Sequence, residues 1–157
     1  MDEIDGKILR ILSRNANATA TEMMAQVNLS IPAINKRIQK LQNAGVIRQF
    51  TVLVDPEKVG KSVQAFVLVL LQQRSGIDTF MEYVQQDPDI LECYSVTGEY
   101  DFVLKVCAGD VKKLDEKLVY LKEHRGVVKS YTMLSLTEYK YQASVLPDGQ
   151  QEPKEVL

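Results

Sequence analysis

The chain has 157 residues, enough for one ordinary domain or two small ones, and 45% apolar with 25% charged residues is a composition that builds hydrophobic cores. Its longest apolar run, Ala65 to Leu71, is strand-sized and excludes a membrane-spanning helix; the charged start MDEIDGKILR is unlike a signal peptide, and two cysteines, Cys93 and Cys107, argue against a disulfide framework and for a reduced cytoplasm. The net charge of −2 conceals an asymmetry: residues 1–62 hold nine Lys/Arg against six Asp/Glu (+3), residues 63–157 ten against fifteen (−5), so the front half suits nucleic acid and the back half something else.

Ile4, Ile8, Leu9, Ile11 and Leu12 recur at helical spacing and predict a first helix, closed by a loop over Asn15 to Ala18. Thr19-Ala20-Thr21-Glu22 has the form of a capping box, in which hydroxyl and carboxylate satisfy exposed amides at a helix start. The short helix that follows carries Met23, Met24 and Val27 as its apolar residues. Asn28 tolerates the left-handed conformation of a tight turn, and Leu29 can plug the core beneath it. Ser30 is a good N-cap, and Pro32 stands in a first helical turn where the missing N–H does no harm. Ile34, Ile38 and Leu41 then face inward on a third helix, which Gly45 ends.

Val46–Val54 is apolar and β-branched and predicts a strand, broken by Asp55-Pro56-Glu57, with Lys58–Lys61 as connector. Beyond it the pattern alternates: strand Val63–Gln72, helix Gly76–Gln86, strand Ile90–Thr97, turn Gly98–Asp101, strand Phe102–Ala108, helix Asp110–His124 with Leu114, Leu118 and Leu121 on one face, and a long strand Val127–Tyr141. The order β-α-β-β-α-β is that of the ferredoxin-like split βαβ fold, so the chain reads as α+β: a winged helix-turn-helix bundle followed by a ferredoxin-like domain. The expected divisions are residues 1–50 for the helical domain, 51–62 for a strand linker, 63–145 for the ferredoxin-like domain and 146–157 for a disordered tail.

Strand Val63–Gln72 is apolar on both faces, with Ala65, Val67, Val69 and Leu71 on one and Phe66, Leu68 and Leu70 on the other. Two helices cover only one side of such a sheet, and too little helix remains for a third layer. A second copy of the chain is the economical cover, so a homodimer is expected.

On the third helix Ala33, Asn35, Lys36, Arg37, Gln39 and Lys40 are expected to face outward, with no acidic residue between Ser30 and Ala44. Such a helix fits the major groove of double-stranded DNA, where Asn and Gln pair with adenine and Arg and Lys with guanine or phosphate. A solvated helix face is the plain alternative. The capped short helix, the Asn28-Leu29-Ser30 turn and the local charge favour a helix-turn-helix. The candidate DNA-binding residues are Thr21, Ser30, Pro32, Ala33, Asn35, Lys36, Arg37 and Lys40. Further on, Gly98 provides backbone freedom at a hairpin tip, Asp101 a carboxylate for an ammonium group, and the amides near Gly98 a seat for a carboxylate. Gly-Glu-Tyr-Asp is equally a good hairpin turn with no ligand.

Asp5 with Ile8-Leu9 and Leu12, Leu29-Ser30, Lys36-Arg37-Ile38, Leu41, Ala44-Gly45-Val46-Ile47, Asp55-Pro56-Glu57 with Val59-Gly60, and Val96-Thr97-Gly98-Glu99-Tyr100-Asp101 together resemble the feast/famine, leucine-responsive (Lrp/AsnC) regulators over residues 2 to about 141. The resemblance implies a transcription regulator that dimerises through its sheets, assembles further to octamers, and binds amino acids or related metabolites between dimers. It also implies that the 97–101 turn lines the effector pocket, giving Thr97, Gly98, Glu99, Tyr100, Asp101, Thr132 and Ser135 as candidate effector-binding residues. The chain departs from the family pattern at Gln42, where an acidic residue is common, at Asn28, where glycine precedes the turn leucine, and at Met23-Met24-Ala25, a volume-tolerant core change.

Neither an enzyme nor a cofactor protein is expected. His124 is the only histidine, placed at a helix end where it would cap carbonyls, and one His with two separated Cys makes no ordinary zinc site. A two-residue loop at Glu99-Tyr100 would pair positions summing to 199, setting Cys93 opposite Val106 and Cys107 on the other face, too far for a disulfide. No P-loop, GxGxxG or GxSxG motif occurs. Two alternatives stand beside the regulator: relatives of the family that decarboxylate a haem precursor, which would call for more histidine than His124, and a DNA-compacting architectural protein without an effector.

Overall fold

The computed structural model describes residues 1–72 and 76–147; the expected tail lies, from residue 148 on, outside the described residues. Two compact units are present, one made of Met1–Leu53 with the chain from Lys140, the other of Val54–Tyr139.

The first unit holds three helices, α1 (Glu3–Arg14), α2 (Ala20–Val27) and α3 (Ile31–Asn43). Its core is the predicted apolar stripe of each: Ile8 and Leu12, Met23 and Val27, Ile34 and Leu41, with Leu29 and Ile38 packed at the margin. Met24 departs from that pattern, 40% exposed on the outer side of α2. The capping box at Thr19 forms as expected, Glu22 donating its amide to the Thr19 hydroxyl at 3.2 Å while the Glu22 carboxylate accepts from the Thr19 amide at 2.7 Å. Asn28 ends α2 with φ 55°, ψ 44°, the left-handed conformation that its side chain tolerates. Ser30 occupies the N-cap of α3 but its hydroxyl makes no capping bond, so Pro32 at the helix start is the stronger device there. At the other end Gly45 (φ 69°) donates to Gln42 O at 2.9 Å and Val46 to Leu41 O at 2.9 Å, the paired bonds of a Schellman closure.

Residues 46–54 hold no strand. Their composition favours extension, but a strand is stabilised by a neighbouring strand's backbone, and among the described residues no strand pairs with them; Val52, Leu53 and Val54 are left exposed. A single turn at Glu57–Val59 closes the connector.

The second unit is a four-stranded antiparallel sheet, β1 (Val63–Leu71), β2 (Ile90–Ser95), β3 (Phe102–Ala108) and β4 (Val127–Leu134), in the order β2-β3-β1-β4, with α4 (Ile77–Gln86) and α5 (Val111–His124). This is the ferredoxin-like arrangement. Ala65, Val67, Val69, Leu104 and Val106 form the buried face with Phe80, Leu114 and Leu121, and the Phe80 and Phe102 rings meet at 5.4 Å. An ionic cluster ties the helices to the connector: Asp87 accepts from Tyr83 Oη at 2.5 Å and from Lys117, and Lys61 reaches Asp89 at 2.6 Å.

Three sequence expectations change here. The hairpin between β2 and β3 pairs Ser95 with Phe102 and Cys93 with Leu104, not with Val106, because the turn is centred on Gly98–Glu99, one residue earlier than expected, with Val96 N donating to Asp101 O. Both cysteines are free. The last strand stops at Leu134 instead of Tyr141, because its partner β1 runs out: Ala65 pairs with Leu134, and one further bond joins Ser135 N to Gln64 O at 2.9 Å. His124, rather than capping carbonyls, packs its ring on Tyr120 at 4.8 Å.

Candidate functional site

Along α3, Pro32, Asn35, Lys36, Gln39 and Lys40 are exposed and Ala33 is half-buried, an outward arc opposite the Ile34–Ile38–Leu41 stripe. Thr21 is exposed in the first turn of α2 and Ser30 at the start of α3. The arc carries two ammonium groups and two amides, the donors that phosphates and base edges accept. Arg37 departs from the expected outward set. Three residues beyond Ile34, it lies about 60° from the buried stripe on the helix wheel. Its guanidinium turns toward α1, with Nη1 2.6 Å from Asp2 Oδ2 and 2.7 Å from Asp5 Oδ1. Asp2 and Asp5 also form a reciprocal cap at the start of α1, Asp5 N donating to Asp2 Oδ1 at 2.9 Å and Asp2 N to Asp5 Oδ2 at 3.1 Å. Burial works against the Asp5 charge, yet the Asp2 amide and Arg37 together hold its carboxyl below the usual aspartate range.

The second candidate is the β2–β3 connection. Gly98 has φ 117°, which favours glycine. Val96 N donates to Asp101 O and Asp101 N to Val69 O, each at 3.0 Å, while one Asp101 carboxylate oxygen accepts from Leu71 N at 2.8 Å. Asp101 is therefore half-buried and holds the turn against the end of β1, a structural duty that the sequence does not reveal. Lys129 of β4 ion-pairs with Glu99 and sits 5.2 Å from the Tyr100 ring centroid, which holds its ammonium more basic than usual. Nothing in the sequence marks Lys129; only the register, setting it opposite Leu70, brings it to the turn. Thr132 pairs with Val67, about 13 Å along β1 from Leu71, and Ser135 lies beside Gln64, about 23 Å from it. One chain brings Thr97 to Asp101 together and does not gather Thr132 and Ser135 with them.

The family model described as the Lrp/AsnC ligand binding domain matches residues 64–145, and a winged helix-turn-helix DNA-binding model matches residues 1–48. The chain belongs to the Lrp/AsnC family. It is a DNA-binding transcriptional regulator with a ligand-binding domain. Among Lrp/AsnC relatives, the HTH-type transcriptional regulator FL11 of Pyrococcus horikoshii is 34% identical over 140 residues, 89% of this chain and 92% of that one. A Neisseria meningitidis transcriptional regulator solved as an L-Met complex superposes with a TM-score of 0.88 at 31% identity, covering 92% of this chain and 96% of that chain. The feast or famine regulatory protein of M. tuberculosis, complexed with L-methionine, gives 0.86 at 26% identity, over 93% and 99% of the two chains.

Proposed function

We propose that this regulator binds specific operators through α3 and is modulated by an amino acid held at the 97–101 turn between subunits of a homo-oligomer. The observation that carries the first part is the outward arc of α3, where Lys36 and Lys40 stand one turn apart among Asn35 and Gln39 with no acidic side chain on the helix. Thr21 and Ser30 flank it as phosphate contacts, and Pro32 and Ala33 set how closely the helix approaches the bases.

The turn offers what a zwitterion needs. Backbone amides around Gly98 suit its carboxylate, and Glu99, Asp101 and Lys129 bring both signs of charge to one edge of the sheet. The two structural neighbours solved with L-methionine support an amino-acid effector. Because Thr132 and Ser135 lie far along β1 within one chain, their part in the pocket requires another subunit to present them.

A homodimer is supported by the sheet face opposite the helices, where Phe66, Tyr131 and Met133 are exposed; an octamer follows if effector sites form between dimers. Domain roles follow the same division: residues 1–50 for DNA, 51–62 as linker, 63–145 for effector and assembly. The relatives' regulatory roles support a function without catalysis, carried out in the cytoplasm where the DNA is.

Thermal-shift screening of the protein against the standard amino acids tests the effector reading. The expected result is a raised midpoint with a small subset, methionine first, that Gly98→Val abolishes while gel-shift affinity for an operator stays. Uniform midpoints across the whole set would sink it. The DNA reading is tested separately by footprinting, with protection at discrete operators expected and even coverage contradicting it.

A further inference from the structure

The reciprocal cap at the start of α1 uses half of each carboxylate. Asp2 Oδ1 and Asp5 Oδ2 are taken by the two backbone amides, and the remaining oxygens, Asp2 Oδ2 and Asp5 Oδ1, converge on a single nitrogen of Arg37. Asp5 is 4% exposed and is the buried charged residue of this unit, so its ionised form needs a cation held in place. Arg37 comes from α3, more than thirty residues away in the chain, and it lies between the buried Ile34–Leu41 stripe and the outward arc. A rotation of α3 about its axis large enough to re-aim Lys36 and Lys40 would carry Arg37 away from both carboxylates. The guanidinium thus ties α3 to the start of α1, beside the packing of Ile34 and Leu41.

We propose that Arg37 is a positioning residue of the DNA interface, locking α3 to the N-terminus of α1 through Asp2 and Asp5, and that it neutralises no phosphate. This rests on the DNA-binding reading of α3 given above. It assigns to Asp5, a residue on a different helix from the interface, a measurable effect on operator affinity. The two roles of Arg37 predict opposite behaviour for Asp5→Asn. If Arg37 contacted phosphate, removing a nearby negative charge would leave binding unchanged or strengthen it. If Arg37 positions α3, the same change weakens binding.

The test uses the full-length chain and an operator found by footprinting. Affinity is measured against salt concentration for wild type, Arg37→Gln, Arg37→Lys, Asp5→Asn, Lys36→Ala and Lys40→Ala, with hydrogen exchange of the α3 amides followed in parallel without DNA. Arg37→Gln and Asp5→Asn are expected to lose about tenfold or more in affinity with an unchanged salt slope, and to exchange α3 amides at least tenfold faster. Arg37→Lys, which keeps a cation beside both carboxylates, should recover most of the protection. Lys36→Ala and Lys40→Ala should instead reduce the slope by about 0.9 for each phosphate left without its lysine, with α3 protection as in wild type. Wild-type α3 protection in Arg37→Gln would overturn the proposal without any DNA measurement, even if other variants fold poorly. A slope reduced by about 0.9 in Arg37→Gln, or undiminished affinity in Asp5→Asn, would overturn it also. If the lysine variants bind as wild type while the exchange results hold, it is the DNA reading of α3 that fails and the clamp that stands.

Discussion

The helical unit completes its core within one chain, and the sheet domain does not. Around Ile8, Met23 and Ile34, all fully buried, three helices close on one another, with four of their six ends tied by a local device: a reciprocal cap at Asp2, a capping box at Thr19, a left-handed Asn28, a Schellman closure at Gly45. In the sheet domain Val67 and Val69 are fully buried under the helices, whereas Phe66, Tyr131 and Met133, on the other side of the same strands, are 42%, 55% and 41% exposed. Helices finish with side chains a few residues apart. A sheet with helices on one side leaves the other side open, and it is that open side which supports the homodimer proposed above.

The largest expected effect separates the two faces of β1. Val67→Asp, on the helix side, should abolish folding of the sheet domain, because an unpaired buried charge costs several kcal/mol. Leu68→Asp, on the open side, should keep the circular dichroism of the wild type and dissociate the oligomer in sedimentation at micromolar concentration. A monomeric wild type, or identical behaviour of the two variants, would erase the distinction.

Acid sharpens the comparison next. At Asp87, burial opposes ionisation, but Lys117 and the Tyr83 hydroxyl outweigh it and hold the carboxyl below its ordinary value of 3.8. Its contribution is therefore complete above that value and lost as pH falls through the lower folded value. Asp5 carries the same sign in the helical unit. Both regions should lose stability below about pH 4, and Asp87→Ala should remove about 1–3 kcal/mol from the sheet domain at pH 7 while flattening its acid limb. Thermal melts of the two proteins between pH 3 and 7 decide this.

Lys36→Ala and Lys40→Ala each should weaken operator binding by about 1–3 kcal/mol where they read a base, without moving the oligomer; gel shifts with sedimentation measure both. The smallest effect belongs to Thr19→Ala. Losing that cap should cost about 1 kcal/mol, confined to the helical unit and visible as faster amide exchange at the start of α2.

Much of the fold was legible because its signals are local. The apolar stripes of α1 to α3, the Thr19–Glu22 box, Asn28 and Gly45 declare themselves within a few residues, and the β-α-β-β-α-β order emerges from alternating periods. The candidate DNA face was legible in the same way, except for Arg37. Lying next to the buried stripe, it is drawn to carboxylates at the chain's start, which no helical pattern of α3 contains. At the proposed effector turn the sequence supplied Gly98 to Asp101 but not Lys129, nor the engagement of Asp101 by Leu71.

Taken by itself, the sequence determined which segments are helix, where those helices begin and end, and which side of each element is apolar, since these depend on neighbours within about one or two turns. Tertiary structure alone decided which apolar stretches become strands. Val46–Val54 and the chain beyond Ser135 have suitable residues, but among the described residues no strand pairs with them, so they remain irregular. It decided how the β2–β3 turn is held, with Asp101 N bonded to Val69 O and Leu71 N to the Asp101 carboxylate, and it decided where Arg37 points. In each case the deciding group lies far along the chain, and only folding brings it within the 3 Å or so over which a hydrogen bond acts.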